Sequence, residues 1–488
     1  MPIDNDQSVE RTPMWIGGRP VHGDRELVVQ DPFTGGVAGV TTLATDEQVE
    51  RAIRHADAAR KTMADLPLHA RASALRAISA GLVAAREEIV DLMVGESGKP
   101  RSLAVVEVER AASVFAWAAE NARQWSGAVT RLDGDPSGEG RLAFVRRYPR
   151  GSVLGISPFN FPLNLAAHKV APAIAVGAPI VLKPAPKTPL SGLVLGRLAA
   201  ETGLPAGAVS VINVDDLIAT KLVSDPRLPV ISFTGSARVG YGILRAVPEK
   251  HVTLELGGNA AVIIAQDIAE DEDGLASAMA RIALFGNAQA GQSCVSVQRV
   301  LVPSALYERA RDALVSAVRD LRQGDPRDPT TQVGPVINAD AADRIASWVE
   351  EAREGGARVV VGAQRSGLTL TPTVLEDVPA DARIATDEVF GPVMILERFD
   401  DIDEAFAMVN RSRFGLQAGV FTRDIAIAFR AHRDLDVGGV IVGDVPTYRS
   451  DQMPYGGVKE SGVGREGVKS AMTDLTEERV LVLSGLDL

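Results

Sequence analysis

The chain has 488 residues, of which 46% are hydrophobic and 23% are charged, and its formal net charge is −12. Such fractions are typical of a globular protein, and the length allows for about three domains with a large core. The acidic balance argues against nucleic acid or an anionic membrane surface as a general partner.

Three further features bear on the compartment. The first residues, Met-Pro-Ile-Asp-Asn-Asp-Gln, lack the positive start and the apolar core of a signal peptide. The longest apolar run, from Val170 to Leu182, is shorter than the roughly 20 residues that a membrane-spanning helix needs. With a single cysteine, Cys294, no disulfide can form within the chain. We therefore expect a cytoplasmic protein with no membrane partner.

The predicted secondary structure changes twice in the first third of the chain. Residues 1–45 contain turn-forming glycines and prolines between short apolar stretches, which predicts short strands. Apolar positions then recur at three- and four-residue spacing, which predicts helices over Glu47–Met63 and Arg71–Gly95. A loop rich in Gly, Asp and Pro follows at 130–139, and the alternation in Arg141–Arg147 predicts a strand.

From residue 151 onward, short apolar runs alternate with helical patterns. Strands that alternate with helices predict α/β domains with parallel sheets covered on both faces. The predicted strands are Val153–Ile156, Pro179–Leu182, Val209–Val214 and Val230–Phe233, and then, in a second series, Ala260–Ile264, Arg299–Val302, Arg358–Val361, Met394–Arg398 and Val440–Val442. A last apolar run, 479–484, has no obvious partner strand near it.

Cys294 ends a segment, Phe285–Cys294, in which small residues alternate with Asn and Gln. Small residues allow backbone or a ligand to approach closely. An apolar run follows directly, so the cysteine precedes a buried strand. The segment alone leaves two interpretations about equally open, a reactive thiol and a small buried hydrophobic residue.

Two strand ends are candidate nucleotide sites. The run that ends at Phe233 turns at Gly235 and enters a helix at Ser236, where free N–H groups could receive a pyrophosphate. Lys183 emerges at the end of another strand, where α/β sheets bind ligands. The alternatives are an ordinary capped helix and a solvated lysine. The literal Gly-x-Gly-x-x-Gly at 462–467 lacks a preceding strand, so a loop that enters a helix is favoured there.

Two further polar residues lie in apolar surroundings. Glu255 is a lone carboxylate in an apolar strand. Burial would raise its pKa, and a raised pKa suits a general base. A solvent-facing edge position is equally open. Asn160, between two aromatic residues and two prolines, could donate to an oxyanion or could satisfy its own turn.

In order and context, these segments resemble the aldehyde dehydrogenase superfamily over nearly the whole chain. The matching segments are Pro158-Phe-Asn-Phe-Pro, Leu182-Lys-Pro-Ala, Phe233-Thr-Gly-Ser, Leu254-Glu-Leu-Gly-Gly-Asn, Gly291-Gln-Ser-Cys, Glu388-Val-Phe-Gly-Pro and Pro454-Tyr-Gly-Gly-Val-Lys-Glu-Ser-Gly. The resemblance implies that Cys294, Glu255 and Asn160 take part in catalysis. It also implies that Lys183 and Ser236 bind the nucleotide.

The resemblance also implies an α/β fold with three parts. These are a Rossmann-like dinucleotide-binding domain at 1–126 and 148–257, a catalytic domain at 258–459, and a small β oligomerisation element at 127–147 and 473–488. In that element, a hairpin would pair with the C-terminal strand of a neighbouring subunit, giving a homodimer or homotetramer. No metal site and no nucleic-acid partner are expected.

The chemistry implied by the resemblance is the oxidation of an aldehyde by NAD, with NADP possible. Cys294 would attack the aldehyde, Asn160 would stabilise the oxyanion, and Glu255 would activate the water that hydrolyses the thioester. The implied cofactor-binding residues are Ile156, Ser157, Pro158, Phe159, Lys183, Gly235, Ser236, Val239, Leu256, Glu388 and Phe390. NAD-preferring relatives carry Glu three residues after the lysine, whereas this chain has Pro186 and then Lys187.

The substrate positions differ from those of relatives that oxidise hydrophobic aldehydes. Alignment to the family places Arg110, His168, Ser293 and Arg449 around the substrate, which predicts a small polar or anionic aldehyde. The lactaldehyde, glyceraldehyde-phosphate and sulfolactaldehyde dehydrogenase branch is the most similar in appearance. Alternatively, Arg110 pairs with a nearby acid such as Glu107 or Glu109, and Arg449 with Asp451.

Two other activities remain open at the level of the sequence. One is an acylating dehydrogenase that transfers the acyl group to coenzyme A, and the other is a catalytically silent homologue with a binding or structural role. Relatives that use coenzyme A typically lack the glutamate at the position of Glu255, so its presence favours hydrolysis. The combination of Cys294, Glu255 and Asn160 argues against the silent alternative.

Overall fold

The structure is a computed structural model that describes residues 11–485. Residues 1–10, where no signal peptide is expected, and residues 486–488 of the predicted oligomerisation element lie outside the described residues. The strands are β1 Met14–Ile16, β2 Arg19–Val21, β3 Arg25–Gln30, β4 Val37–Leu43, β5 Ala128–Arg131, β6 Arg141–Pro149, β7 Val153–Ile156, β8 Ile180–Lys183, β9 Val209–Val211, β10 Val230–Thr234, β11 His251–Glu255, β12 Ala261–Ile264, β13 Arg299–Pro303, β14 Arg358–Val361, β15 Arg365–Ser366, β16 Thr369–Leu370, β17 Thr373–Glu376, β18 Val393–Phe399, β19 Phe414–Gly415, β20 Gln417–Phe421, β21 Gly439–Val442, β22 Val458–Lys459, β23 Gly462–Val463 and β24 Thr476–Ser484. The helices are α1 Asp46–Asp65, α2 Leu68–Ala84, α3 Arg86–Ser97, α4 Arg101–Arg123, α5 Asn164–Val176, α6 Leu190–Ala200, α7 Asp216–Ser224, α8 Ala237–Ala246, α9 Gln266–Ala269, α10 Glu272–Asn287, α11 Tyr307–Arg319, α12 Ala339–Glu354, α13 Arg383–Thr386, α14 Ile402–Asn410, α15 Ile425–Asp434 and α16 Val468–Asp474.

The N-terminal helices largely follow the predicted pattern. The first predicted helix is confirmed as α1, which begins at a capping box between Thr45 and Gln48. The second prediction, one helix over Arg71–Gly95, is wrong because the chain leaves helical geometry at Ala85, where φ is −92° and ψ is 14°. Two helices, α2 and α3, therefore replace it, and α2 packs along α4 in the first core.

The first large sheet has the strand order β2-β1-β9-β8-β7-β10-β11-β23, and its strands from β9 to β11 run parallel. All four strands predicted for this region are confirmed, with shifted ends. The register pairs Ile156 with Lys183 and Thr234 with Glu255. The carboxyl ends of β8, β7, β10 and β11 therefore lie side by side along one edge of the sheet, where such sheets bind ligands.

The second sheet has the order β14-β17-β18-β13-β12-β20-β21. The five predicted strands of this series are confirmed. Two buried strands, β17 and β20, escaped prediction because Thr373–Glu376 is short and ends in a carboxylate, and Gln417–Phe421 contains an internal glycine. Most of the other buried strands of the two sheets are apolar runs because helices cover both faces of each sheet.

A third, three-stranded sheet has the order β24-β6-β5. Strand β24 pairs antiparallel with β6 along its length, with Val480 opposite Val145. The prediction that the C-terminal strand pairs with a neighbouring subunit is therefore wrong. The hairpin and the tail come together within one chain, because α16 and Leu475 return the tail to the start of β7.

No helix within residues 11–485 is both long enough and apolar enough to cross a bilayer.

Candidate active site

The segment before Cys294 is a tight turn between α10 and β13. Gln289 and Ala290 adopt left-handed backbone angles, with φ of 51° and 54°, which are unfavourable for residues other than glycine. Gly291 follows at φ 70°, and a Cβ there would lie 2.0 Å from the carbonyl oxygen of Gly391. Glycine is therefore required at this position. The strained turn presents Cys294 at the junction of the two large sheets.

Cys294 is half-buried, and its Sγ lies 3.2 Å from the Oη of Tyr455. Burial raises the pKa of the thiol to about 12. The hydrogen bond from Tyr455 opposes that rise in pKa, Glu388 adds to it, and the positive charge of Arg449 opposes it. These surrounding groups therefore set the fraction of Cys294 that is ionised at a given pH.

Asn160 lies in the loop after β7 and is buried. Its Nδ2 donates to the carbonyl oxygen of Gln292 over 2.9 Å, which leaves the second N–H of the amide for another acceptor. Gln289 donates to the backbone oxygen of Asn160. The loop that carries Asn160 is therefore fastened to the turn that carries Cys294, and the amide faces the residues next to the thiol.

Glu255 is the last residue of β11, and only 3% of its surface is exposed, so it is not a solvent-facing edge residue. Neither of its carboxylate oxygens has a hydrogen-bond partner among the described residues. Burial, followed by the negative charge of Glu466, raises the pKa of Glu255 well above its usual value. A buried carboxyl group without a partner is costly unless it serves a ligand or a water molecule.

The carboxyl edge of the first sheet holds the predicted nucleotide residues. Lys183 ends β8 and is buried, and within residues 11–485 its Nζ donates only to the carbonyl oxygen of Pro184, at 3.5 Å. Burial lowers the pKa of this lysine. On the neighbouring strand, Ile156 ends β7 and the buried Oγ of Ser157 has no partner in the described chain. A ligand with hydroxyl groups would satisfy both side chains.

The next strand end leads into α8. Gly235 makes the turn after β10, and Ser236 takes the N-cap position without forming a side-chain capping bond. Ser236 and Val239 are exposed on the first turn. The first N–H groups of a helix have no partner within it and attract anions. This turn fits a pyrophosphate.

The remaining predicted cofactor-binding residues are Pro158, Phe159, Leu256, Glu388 and Phe390. Glu388 accepts a hydrogen bond from the N–H of Gly258 over 3.1 Å, and burial raises its pKa to about 7. Phe390 packs edge-on against Phe159, with ring centroids 5.7 Å apart and an interplanar angle of 79°. Leu256 is buried directly after β11, and Pro158 is half-buried beside Phe159. Together with the strand ends, these residues fit a nicotinamide dinucleotide.

A cavity of about 150 Å³ opens on the other side of Cys294. Ser293, Cys294, Arg110, Arg449 and Tyr455 line it, together with apolar side chains such as Phe161. The two guanidinium groups thus share one small cavity with the thiol, as the alignment predicts.

The partners of the two arginines differ from the predicted alternatives. Arg110 donates to Asp451 over 2.8 Å, whereas the predicted partner Glu107 is paired with Lys99. Arg449 donates through Nη2 to Glu466 over 3.1 Å and not to Asp451. The alternative pairings are therefore wrong, although each guanidinium does have a carboxylate partner.

His168 does not line the cavity, in contrast to its predicted substrate-binding position. The residue is 1% exposed on the fully buried α5, and its Nε2 lies 3.3 Å from Asp451. Burial, followed by the positive charge of Arg449, lowers its pKa to about 4. His168 is thus a neutral residue behind the cavity that orients the partner of Arg110.

Three residues near the site escaped prediction. Tyr455 contacts the thiol, and Glu466 joins Arg449 to Lys169, whose Nζ lies 3.1 Å from its carboxylate. Tyr455 belongs to the Pro-Tyr-Gly-Gly segment that carries the family resemblance, so its position could have been found. Glu466 and Lys169 had no such signal. Within residues 11–485, no three His, Cys, Asp or Glu side chains are grouped to hold a metal ion.

A parallel sheet whose strand ends fit a nicotinamide dinucleotide, facing a cavity with a thiol, defines an NAD(P)-dependent oxidoreductase. The sequence profile of the aldehyde dehydrogenase family matches residues 20–481. The chain belongs to the aldehyde dehydrogenase family.

Among curated proteins, the chain is 38% identical over 478 residues to a 3-sulfolactaldehyde dehydrogenase from Priestia aryabhattai, with 98% of each chain covered. Among solved structures, it is similar to aldehyde dehydrogenase 21 from Physcomitrella patens in complex with the reaction product succinate, with a TM-score of 0.95, 40% identity and 98% and 99% of the two chains covered. It is also similar to an NADP-dependent glyceraldehyde-3-phosphate dehydrogenase from Bacillus halodurans C-125 in complex with NADP, with a TM-score of 0.92, 33% identity and 97% and 99% covered.

Proposed function

We propose that this protein oxidises a small anionic or oxygenated aldehyde to the carboxylate with NAD or NADP, through a thioester on Cys294. One observation carries the substrate class. Arg449 lines the cavity of Cys294, and its Nη1 donates no hydrogen bond within the described chain. A guanidinium group that is held in place but keeps free donors is suited to a carboxylate, sulfonate or phosphate.

The proposed first half-reaction begins with the Cys294 thiolate, which attacks the aldehyde carbon to give a thiohemiacetal. The free N–H of the Asn160 amide and the backbone N–H of Cys294 donate to the oxygen, which becomes negatively charged. When bound, the nicotinamide supplies the acceptor for the hydride that leaves this carbon. Lys183, Ser236, Glu388 and Phe390 hold the dinucleotide in the proposed site.

In the second half-reaction, Glu255 takes a proton from a water molecule as its oxygen attacks the thioester carbon. The C–S bond then breaks, which releases the carboxylate and returns the Cys294 thiolate. The raised pKa and the unpartnered oxygens of Glu255 support this role. A carboxylate that is not committed to a protein donor can hold and deprotonate the water.

The named activities of similar proteins support a small anionic substrate. The Priestia aryabhattai relative is a 3-sulfolactaldehyde dehydrogenase, and the Physcomitrella patens structure contains succinate. Both names point to compounds with an anionic group a few atoms from the carbonyl carbon. In this chain, Arg110 and Arg449 would meet that anionic group while the aldehyde carbon lies at Cys294.

The test compares one anionic and one neutral aldehyde of equal length, succinic semialdehyde and pentanal, in the wild type, Arg449→Lys and Arg449→Met. Arg449→Met should lower kcat/KM for the anionic aldehyde by roughly 10- to 150-fold, which corresponds to the loss of a charged hydrogen bond. Activity on the neutral aldehyde should fall by a smaller factor, because that substrate loses only the effect of the Arg449 charge on the ionisation of Cys294, and Arg449→Lys should fall between the wild type and Arg449→Met. An equal loss on both aldehydes would contradict the proposed substrate class.

Two alternatives would show in the same assay. A coenzyme A-dependent enzyme would need coenzyme A for sustained turnover, and Glu255 would have no step to perform. A silent homologue would bind NAD or NADP without forming reduced nucleotide from any aldehyde. The intact set of Cys294, Glu255 and Asn160 at one junction favours the hydrolytic enzyme over both.

We also propose a homodimer or homotetramer in the cytoplasm. The three-stranded sheet leaves a row of apolar residues exposed, including Val129, Val480 and Leu481 at 62%, 62% and 58%. Exposed apolar patches of this kind support subunit contact. The proposed mechanism needs Cys294 as a free thiol, which favours a reducing compartment.

A further inference from the structure

A stack of three side chains leads from the substrate cavity to the sulfur atom. Arg449 lies over the ring of Tyr455, with its Cζ 3.8 Å from the ring centroid. The hydroxyl group of that ring lies 3.2 Å from the Sγ of Cys294. Both Tyr455 and Arg449 are buried, and Glu466 fixes the guanidinium from the other side.

The geometry allows only one direction of donation once the thiol ionises. A thiolate has no proton, so the Tyr455 hydroxyl must be the donor in that state. Burial raises the pKa of Tyr455 well above its usual value, and the hydroxyl therefore stays protonated at neutral pH. A cation over an aromatic face withdraws electron density from the ring, which makes the phenolic O–H a better donor.

We propose that Tyr455 is a catalytic residue whose hydroxyl donates a hydrogen bond to the Cys294 thiolate, with Arg449 holding and polarising its ring. This inference deepens the proposed function and rests on its assignment of Cys294 as the nucleophile. Arg449 then has two tasks, since its positive charge faces both the substrate cavity and the ring that contacts the sulfur.

The other charged groups around the thiol make this donor necessary. Glu388 and Glu255 disfavour the thiolate, and burial disfavours it further, whereas Tyr455 and Arg449 are the groups that favour it. Without the hydroxyl group, only the charge of Arg449 would oppose burial and the two carboxyl groups. The thiolate should then form at higher pH.

The test is alkylation of the protein by iodoacetamide in the absence of nucleotide and aldehyde. Cys294 is the only cysteine, so the loss of free thiol reports on this residue alone. Rates are measured from pH 7 to 10 in the wild type, Tyr455→Phe and Tyr307→Phe. The last variant is a matched control, because Tyr307 is a buried tyrosine at the start of α11 whose hydroxyl donates to Glu376 of β17 and not to the site.

Tyr455→Phe should move the pH profile of alkylation upward, with a rate about tenfold lower at a given pH for each unit of pKa. Its kcat/KM should fall in parallel, with KM for the aldehyde changed little. Tyr307→Phe should match the wild type in both assays. Arg449→Lys, which keeps the charge but loses the planar stack, should shift the alkylation profile in the same direction by less.

An alkylation profile of Tyr455→Phe that overlays that of the wild type, or lies at lower pH, would overturn the proposal. Because no aldehyde takes part, that result is independent of whether the substrate class is right. If the Phe variant does not fold, the profile of Arg449→Lys decides, and an unshifted profile there overturns the role of the stack.

Discussion

The nucleotide half and the aldehyde half of this site are built in different ways. The nucleotide half consists of strand ends, where Ile156, Lys183 and Thr234 lie next to one another because their parallel strands are in register. The aldehyde half is assembled from side chains far apart in the chain, such as Arg110 and Asp451, which are 341 positions apart. The sheet places the residues of the nucleotide half, whereas tertiary packing places those of the aldehyde half.

This difference has a functional consequence. Strand ends can be kept while cavity side chains change, so a family can retain its cofactor and vary its aldehyde. Glu255 lies at the boundary, since it ends β11 but acts, in the proposed mechanism, on the thioester on the aldehyde side.

Glu255→Gln should produce the largest effect. The amide cannot take the proton of the attacking water, so steady-state turnover should fall by roughly 10²- to 10⁴-fold. The first turnover should still yield about one reduced nucleotide per active site, because thioester formation does not need the carboxylate. Stopped-flow absorbance of the reduced nucleotide separates this burst from the steady state.

The matched control for this variant is Glu376→Gln, which changes a buried glutamate on β17 away from the site. Its turnover should remain close to that of the wild type. A Glu255→Gln enzyme that loses the burst together with the steady state would contradict the assignment of Glu255 to thioester hydrolysis alone. Restoration of fast turnover by added coenzyme A would instead favour the acylating alternative.

In the aldehyde half, His168 should make stability depend on pH. Its pKa is about 4 in the folded protein and near 6.5 in the unfolded chain, so the unfolded state takes up the proton first as pH falls. This contribution is fully present above pH 6.5 and is lost as the pH falls to 4. The loss in the free energy of unfolding is at most about 3 kcal/mol.

Urea unfolding at pH 7 and pH 5, at one protein concentration, measures this loss. His168→Gln keeps a donor for Asp451 but does not titrate, so its stability should change less between the two pH values. His432→Gln, at an exposed position on α15, should keep the pH dependence of the wild type. A His168→Gln variant with an undiminished pH dependence would mean that His168 is not held neutral behind the cavity.

The two halves also differ in how far the sequence predicts them. Lys183, Ser236 and Glu255 became candidates because each lies at the end of an apolar run or just after one, and the family resemblance then favoured their functional interpretation. The partner of Arg110 could not be identified in this way, since no local pattern links α4 to Asp451. The same holds for Cys294 and Tyr455, which are 161 positions apart.

The predictions that failed show the same limit. The break between α2 and α3 falls at Ala85, a good helix former that carries no stop signal. His168 was assigned to the cavity by alignment alone, whereas its burial on α5 depends on what packs around the helix. For His168 the outcome depends on distant contacts, such as the one with Asp451, which no local pattern shows.

The nucleotide half offers the smallest but most selective test, at Pro186. This residue is exposed three positions after Lys183, where NAD-preferring relatives carry a glutamate. A carboxylate there would lie near the 2′-phosphate of NADP, and like charges at a solvent-exposed site cost ~1–2 kcal/mol. Pro186→Glu should therefore lower kcat/KM for NADP about tenfold relative to that for NAD.

Pro186→Gln is the matched control, because it introduces a side chain of the same size without the charge. Its ratio of NADP to NAD activity should stay near that of the wild type, which isolates the charge from the loss of the proline. Equal changes with both nucleotides in Pro186→Glu would place the 2′-phosphate away from the end of β8. Cofactor choice would then depend on packed side chains, as substrate choice does, and not on a strand end.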